Sequence, residues 1–456
     1  MISYPRTKKI ILTAGLNSGG KMNLDLLIKN VDIITMDDLN MVIHDGFIGV
    51  SDGRICLLTD KLPDNVTYKK EIEGKGKLAM PGLVNSHSHS AMTLMRNYAD
   101  DIALETWLFD NIFPIEAKLT DKDVYWGTML GITEMLKSGV TAFADMYMFM
   151  DEVARAVTET GIKANLCKSP VQFFEGGELK RLDMSQGTVD YFKQYHNSAE
   201  GRIKVFVEIH STYMFNEKTL INAADRAKQL NTGIHIHLLE TATEVESSKR
   251  DYGMTSVEIC KKTGVLDVPV LAAHCVHLSD SDLEIMRDMG CSIAHNPTSN
   301  LKLGSGIARV PEMVKMGINV CLGTDGAASN NNLNMFEEMN LAALIHKGVA
   351  MDPKLMQADT VLKMGTCNGA KAVGFEDSGK IAVDMKADII LVDTDKPHFY
   401  PKNNPLSTIV YSAQASDVDT VIVDGKILMK NREFCTIDEE KIKYQVHSLT
   451  KRLLGR

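Results

Sequence analysis

Short apolar runs alternate with longer stretches of mixed polarity along most of this chain. After residue 91 the alternation becomes regular. DKDVYWGTMLGITEMLKSG (121–139) reads as a helix and runs into VTAFADMY, a buried strand. MDEVARAVTETG (150–161) reads as a helix ending at a glycine cap, followed by IKANLC as a strand. GRIKVFVEIH is a strand, EKTLINAADRAKQLNTG a helix and IHIHLLE a strand. VPVLAAHCVH, CSIAHNP and NVCLGTDG read as further strands, with DSDLEIMRDMG and VPEMVKMGI as the helices between them. Counting LVNSH as the first, strands end near residues 87, 145, 167, 210, 237, 274, 295 and 325. Eight strands alternating with helices predict a (β/α)8 TIM-like barrel.

The two chain ends read differently. LDLLIKNVDIITM, GFIGVSDGRICLLTD, KIAVDMKADIILVDTD and DVDTVIVDGKILMKN are strand-like, and Asp52-Gly53 and Asp424-Gly425 mark hairpins. Residues 22–79 and 376–456 are therefore predicted to join as one small β-sandwich domain with a helical C-terminal tail. The barrel, residues 80–375, is inserted into it. Residues 1–21 carry Arg6, Lys8, Lys9 and Lys21, no acidic residue, and an apolar patch too short for a signal peptide. They are predicted to be a disordered extension.

Composition narrows the function. A net charge of −9 argues against nucleic acid as a partner, and no apolar run is long enough to span a membrane. The eight cysteines are scattered with no CxxC pair, the pattern of buried thiols in a reducing cytoplasm.

The potential ligands and proton carriers fall at strand ends, where barrel enzymes carry their chemistry. His87 and His89 are two apart on one strand, so they face the same side. His237 falls near the end of strand 5 with Glu240 three residues on, His274 at the end of strand 6, and Asp325 at the end of strand 8. Three imidazoles and a carboxylate leave a divalent ion one position for water, whose pKa the ion lowers towards neutrality. Each residue also has a plainer reading. Asp325 suits a turn before Gly326, His274 a cap, and Glu240 the start of a helix. Their joint placement favours the metal site. His235, His277 and His295 lie near the same rim and read as packing residues, and His346 and His398 as surface or packing residues.

Five stretches, PGLVNSHSHS, HLLET, AAHCVHL, HNPTSNLKLGSG and LGTDGAASNNNLNMFEEM, together resemble the amidohydrolase superfamily. Within it they are most similar to the 5-methylthioadenosine/S-adenosylhomocysteine deaminase group, over about residues 23–440. The resemblance implies metal ligands at His87, His89, His237 and Asp325, proton transfer at Glu240, and a base or water-orienting role for His274. Two-metal members of the superfamily usually carry a bridging carboxylated lysine at the end of strand 4. Here that strand ends in His210, with Lys204 at its beginning, so one ion per chain is expected. Zn²⁺ is the first choice, and Fe²⁺, Mn²⁺ or Ni²⁺ would also suit the donors. The implied reaction is hydrolytic deamination at C6 of adenine in 5′-substituted adenosines.

Substrate choice rests on the loop after strand 1. Alone, Trp107 reads as a loop anchor and Glu116 as a helix N-terminal acid. The resemblance implies instead that both line a nucleoside pocket, Glu116 meeting the ribose hydroxyls, and that His210 also touches the nucleoside. Lys168 stands where the group's S-adenosylhomocysteine-preferring members would place an arginine for the amino-acid carboxylate. An alternative on the same scaffold is a deaminase or chlorohydrolase of a free base, pterin or triazine. Homo-oligomers are common among such enzymes, and one is expected here.

Overall fold

The computed structural model describes residues 11–13, 21–175 and 178–455. Eight parallel strands run in sequence order around a barrel: Leu83–Ser88, Val140–Asp145, Lys163–Lys168, Ile203–Ile209, Ile234–Leu238, Val270–His274, Ser292–His295 and Asn319–Leu322. The apolar runs read from the sequence are these strands. Nearly all their residues are buried, because helices cover the outside and side chains fill the inside. The eighth strand meets the first without a regular ladder. The seam is closed by the Asp325 N–H donating to the His87 carbonyl at 2.9 Å, and by Asn85, whose side chain bonds Thr324 twice, at 2.7 and 2.9 Å.

Local signals set the helix ends. Thr120 caps Asp121–Lys137 and forms a reciprocal box with Asp123. Met150–Thr160 stops at Gly161, whose φ of 90° is open to glycine and costly for other residues. After the third barrel strand the chain makes an antiparallel hairpin, Val171–Glu175 with Glu178–Asp183, in a stretch to which sequence reading assigned no element.

The remaining strands form a ten-stranded sheet from both chain ends. Lys77–Pro81 is its hinge, pairing in parallel with Met22–Ile34 and antiparallel with Ile389–Asp393. The small β-domain expected from both chain ends is this sheet; Ile28, Ile48, Ile55, Ile389 and Ile422 share one apolar cluster, and Met22, Leu24, Leu27 and Leu57 form another. Both predicted hairpin turns, Asp52-Gly53 and Asp424-Gly425, have positive φ at the two central residues, as a two-residue type I′ loop requires. Ile11–Thr13 pairs with Arg54–Thr59 inside the stretch expected to be disordered; the rest of that stretch, Lys21 apart, lies outside the described residues. The helix Glu439–Leu454 is the expected tail.

Barrel and sheet are joined by a buried cation. Lys163, 2% exposed at the start of the third barrel strand, bonds Asp388 at 2.5 Å and Asp424 at 2.7 Å. Removing one partner of a buried ion pair strands the other charges. Lys163→Met is therefore expected to cost about 3–5 kcal/mol of stability, read from the urea midpoint. A loss below about 1 kcal/mol would mean that water reaches the two aspartates.

Candidate metal and nucleoside site

The strand ends bring the sequence-predicted residues to one point. His87 is the penultimate residue of the first strand and His89 the residue just past its end, His237 is the penultimate residue of the fifth, and His274 ends the sixth. Asp325 lies three residues beyond the eighth strand, in the loop rather than on the strand, pinned by its N–H to the His87 carbonyl. Asp325 Oδ1 is 3.2 Å from His89 Nε2 and 3.4 Å from His87 Nε2, and the Nε2 atoms of His89 and His237 are 3.3 Å apart. In two groups, His87/His237/His274 and His87/His89/Asp325, the donor atoms all lie within 4.8 Å of one another.

The backbone is held in sparsely populated conformations at these ends. Leu239, His274, Cys275 and Asp325 all have φ between 50° and 70°. Such positions cost of order 1–3 kcal/mol each and concentrate at functional sites.

Hydrogen bonds orient the ring nitrogens. His237 Nδ1 donates to the His210 carbonyl at 2.8 Å, and His89 Nδ1 to the Met146 carbonyl at 2.5 Å. A carbonyl only accepts, so Nδ1 carries the proton and Nε2 of the neutral ring offers its lone pair to the centre. His87 Nδ1 meets His235 Nε2 at 2.9 Å, and His235 Nδ1 meets Cys167 Sγ at 3.3 Å. His87 Nε2 is buried and makes no hydrogen bond. Asp325 Oδ2 accepts from Ser299 at 2.6 Å and Ser329 at 2.8 Å, leaving Oδ1 turned to the imidazoles. These donors fit a divalent cation of borderline softness.

Electrostatics agree with that arrangement. Burial holds the His87 pKa down to about 3, and burial with four neighbouring imidazoles holds His237 well below the usual value. Both rings are neutral, as ligation requires. Burial also pulls on His89, but the Asp325 carboxylate and the Met146 carbonyl outweigh it and raise its pKa to about 9. A cation binding at this point displaces that proton.

Glu240, 9% exposed, lies beside the cluster, its Oε1 3.8 Å from His274 Nδ1 and 3.4 Å from the Ser305 hydroxyl. Burial raises its pKa, with His274 opposing. Its own N–H donates to Glu244 Oε2 at 3.0 Å, which fixes the turn that presents it. His274 Nδ1 faces Asn300 Oδ1 at 2.8 Å.

A cavity of about 1000 Å³ opens above the cluster and is lined by His89, His237, Glu240, His274 and Asp325 together with Trp107, Glu116 and His210. All nine residues singled out from the sequence thus belong to one constellation; only His87, fully buried, lies behind the lining. Trp107 is 6% exposed, and Glu116 has its pKa raised to about 7 by burial, against the pull of Tyr147 and His89.

Sequence reading missed several members. His235 was set aside as a packing residue, yet it supports His87. Cys167, Ser299, Ser329, Asn300 and Glu244 hold the inner groups in place, and only their nearness to the motifs marked them. Glu208 and Tyr147 line the cavity and carried no signal in the sequence reading.

A histidine-rich cluster with a buried carboxylate at the C-terminal mouth of a (β/α)8 barrel defines a barrel hydrolase. The chain belongs to the amidohydrolase family, whose model matches residues 78–428. It is 58% identical over 434 residues to a 5-methylthioadenosine/S-adenosylhomocysteine deaminase from Acetivibrio thermocellus, covering 94% of this chain and 100% of that one. It is 44% identical over 432 residues to a 5′-deoxyadenosine deaminase from Methanosarcina barkeri, covering 95% and 99%. Among solved structures it is similar to an adenosine deaminase from Xanthomonas campestris with bound zinc, at a TM-score of 0.91 and 30% identity over 96% of this chain and 100% of that one. The chain is a hydrolase acting on C–N bonds. Among the described residues no helix is long and apolar enough to cross a membrane.

Proposed function

We propose that this enzyme hydrolyses the C6 amino group of adenine in 5′-substituted adenosines, releasing ammonia and the inosine analogue. The observation that carries the reading is the shared cavity. One space of about 1000 Å³ joins the His/Asp cluster and Glu240 to Trp107 and Glu116, so an adenine ring and a ribose fit together. His87, His89, His237 and Asp325 would hold one divalent ion, zinc by preference. When bound, the ion supplies Lewis-acid polarisation and an acidified water.

The side chains do the rest. Glu240 takes a proton from water and passes it to ring N1, which makes C6 more electrophilic, then takes the remaining proton from the hydroxyl added at C6 and passes it to the amine, which leaves as ammonia. Asp325 orients the attacking oxygen. His274, whose Nδ1 is steadied by Asn300 Oδ1, turns its Nε2 lone pair to the attacking water and orients it. Glu116 receives the ribose diol and Trp107 walls the ring. All eight cysteines are free thiols, in keeping with a reducing cytoplasm.

Ammonia release from 5′-methylthioadenosine, 5′-deoxyadenosine, S-adenosylhomocysteine and guanine, compared by kcat/KM, tests the proposal. Lys168 is the only lysine or arginine among the described residues lining the cavity, and it offers a carboxylate a point charge and not a fork. The first two substrates are therefore expected to outrank S-adenosylhomocysteine by about tenfold. Turnover of guanine with none of the nucleosides would overturn the reading.

A further inference from the structure

The cavity wall holds a carboxyl that the reaction above leaves unused. Glu208 stands on the fourth barrel strand, two residues before His210, so both point to the barrel interior. It is 8% exposed and lines the cavity. Among the described residues its carboxyl makes no hydrogen bond and no ion pair. A buried carboxyl without a partner is costly, and an apolar side chain would fill the same place without that cost. The group is provided for something that enters the cavity.

The surroundings narrow what that is. His89, of the cluster, and Lys168, at the end of the neighbouring strand, favour its charged form; burial, helped by the Asp145 carboxylate, outweighs both and raises its pKa to about 7. A carboxyl in this state offers an O–H donor for much of the time. In the pose proposed above, C6 faces the cluster and N1 faces Glu240. The adenine ring then has two acceptors left, N3 and N7. We propose that Glu208 hydrogen-bonds one of these two ring nitrogens and so fixes the orientation of the purine at the cluster. This rests on the deaminase reading and adds a specificity residue to it.

The test pairs protein variants with ring analogues. Glu208→Leu removes the donor, and Glu208→Gln keeps one in the same place. Each is assayed for kcat/KM on 5′-methylthioadenosine and for competitive inhibition by 3-deazaadenosine and 7-deazaadenosine, with metal content and melting temperature followed alongside. E208L is expected to lower kcat/KM by about 10- to 100-fold. It should weaken one deaza inhibitor by a similar factor and leave the other, which lacks the bonded nitrogen, within about threefold. E208Q should stay within about fivefold of the wild type. Unchanged kcat/KM in E208L, or equal weakening of both inhibitors, would overturn the inference while leaving the deaminase reading intact. Wild-type enzyme alone also decides. Equal inhibition by the two deaza nucleosides would overturn the inference even if E208L did not fold. Wild-type enzyme inactive on every nucleoside would overturn the deaminase reading, and the inference with it.

Discussion

Glu240→Ala is expected to lower kcat by about 10²–10⁴-fold, the usual range for a positioned acid–base group, while the protein keeps its metal. The prediction follows from where Glu240 stands. It is buried beside the cluster, held by its backbone N–H on Glu244, and its carboxyl lies 3.8 Å from His274 without sharing the tight donor group of the histidines. Removing it takes away the proton carrier and leaves the ligands in place. Steady-state kinetics together with metal analysis read the two separately. Near-normal turnover would remove Glu240 from the role, and loss of metal would make it a ligand.

Asp325→Ala is expected to act on both quantities at once. Its Oδ1 faces His87 and His89 and its Oδ2 is fixed by Ser299 and Ser329, so the carboxylate has little freedom to be replaced by water. Removing a hydrogen-bonded supporter of a ligand commonly costs about 10–100-fold in metal affinity. Loss of a proposed ligand should exceed about 100-fold, and turnover should fall by at least as much. Dialysis against a graded chelator followed by metal analysis measures this. Retention equal to the wild type would exclude Asp325 from the ligand set and leave the three histidines to hold the ion.

The barrel was legible because parallel strands buried on both faces must be apolar throughout, and the helices between them end at visible caps such as Thr120 and Gly161. The site was legible because barrel chemistry sits at strand ends, so His87, His89, His237, His274 and Asp325 could be placed by counting. What escaped depends on closure of the barrel. Glu208 sits in a run, VFVEIH, where a single carboxylate looks like an outward-facing exception; only the alternation of the folded strand turns it inward. His235 reads as the lesser partner of His237, yet it meets His87 across the barrel, Nε2 to Nδ1 at 2.9 Å. The hairpin after strand three was missed because its alternation is brief and its role is local. The continuous small sheet was hidden for a different reason. Lys77–Pro81 leads directly towards the first barrel strand, so the sequence offers no break where the sheet takes its central strand.

Stepwise reloading of metal-stripped enzyme with zinc, read as ammonia released from 5′-methylthioadenosine, tests the central claim most directly. The account predicts no turnover without the ion and a rise that saturates at about one ion per chain, with ammonia and the inosine analogue formed in equal amounts. Saturation only at two ions, full activity in the stripped enzyme, or a zinc-loaded enzyme that releases no ammonia would each contradict it.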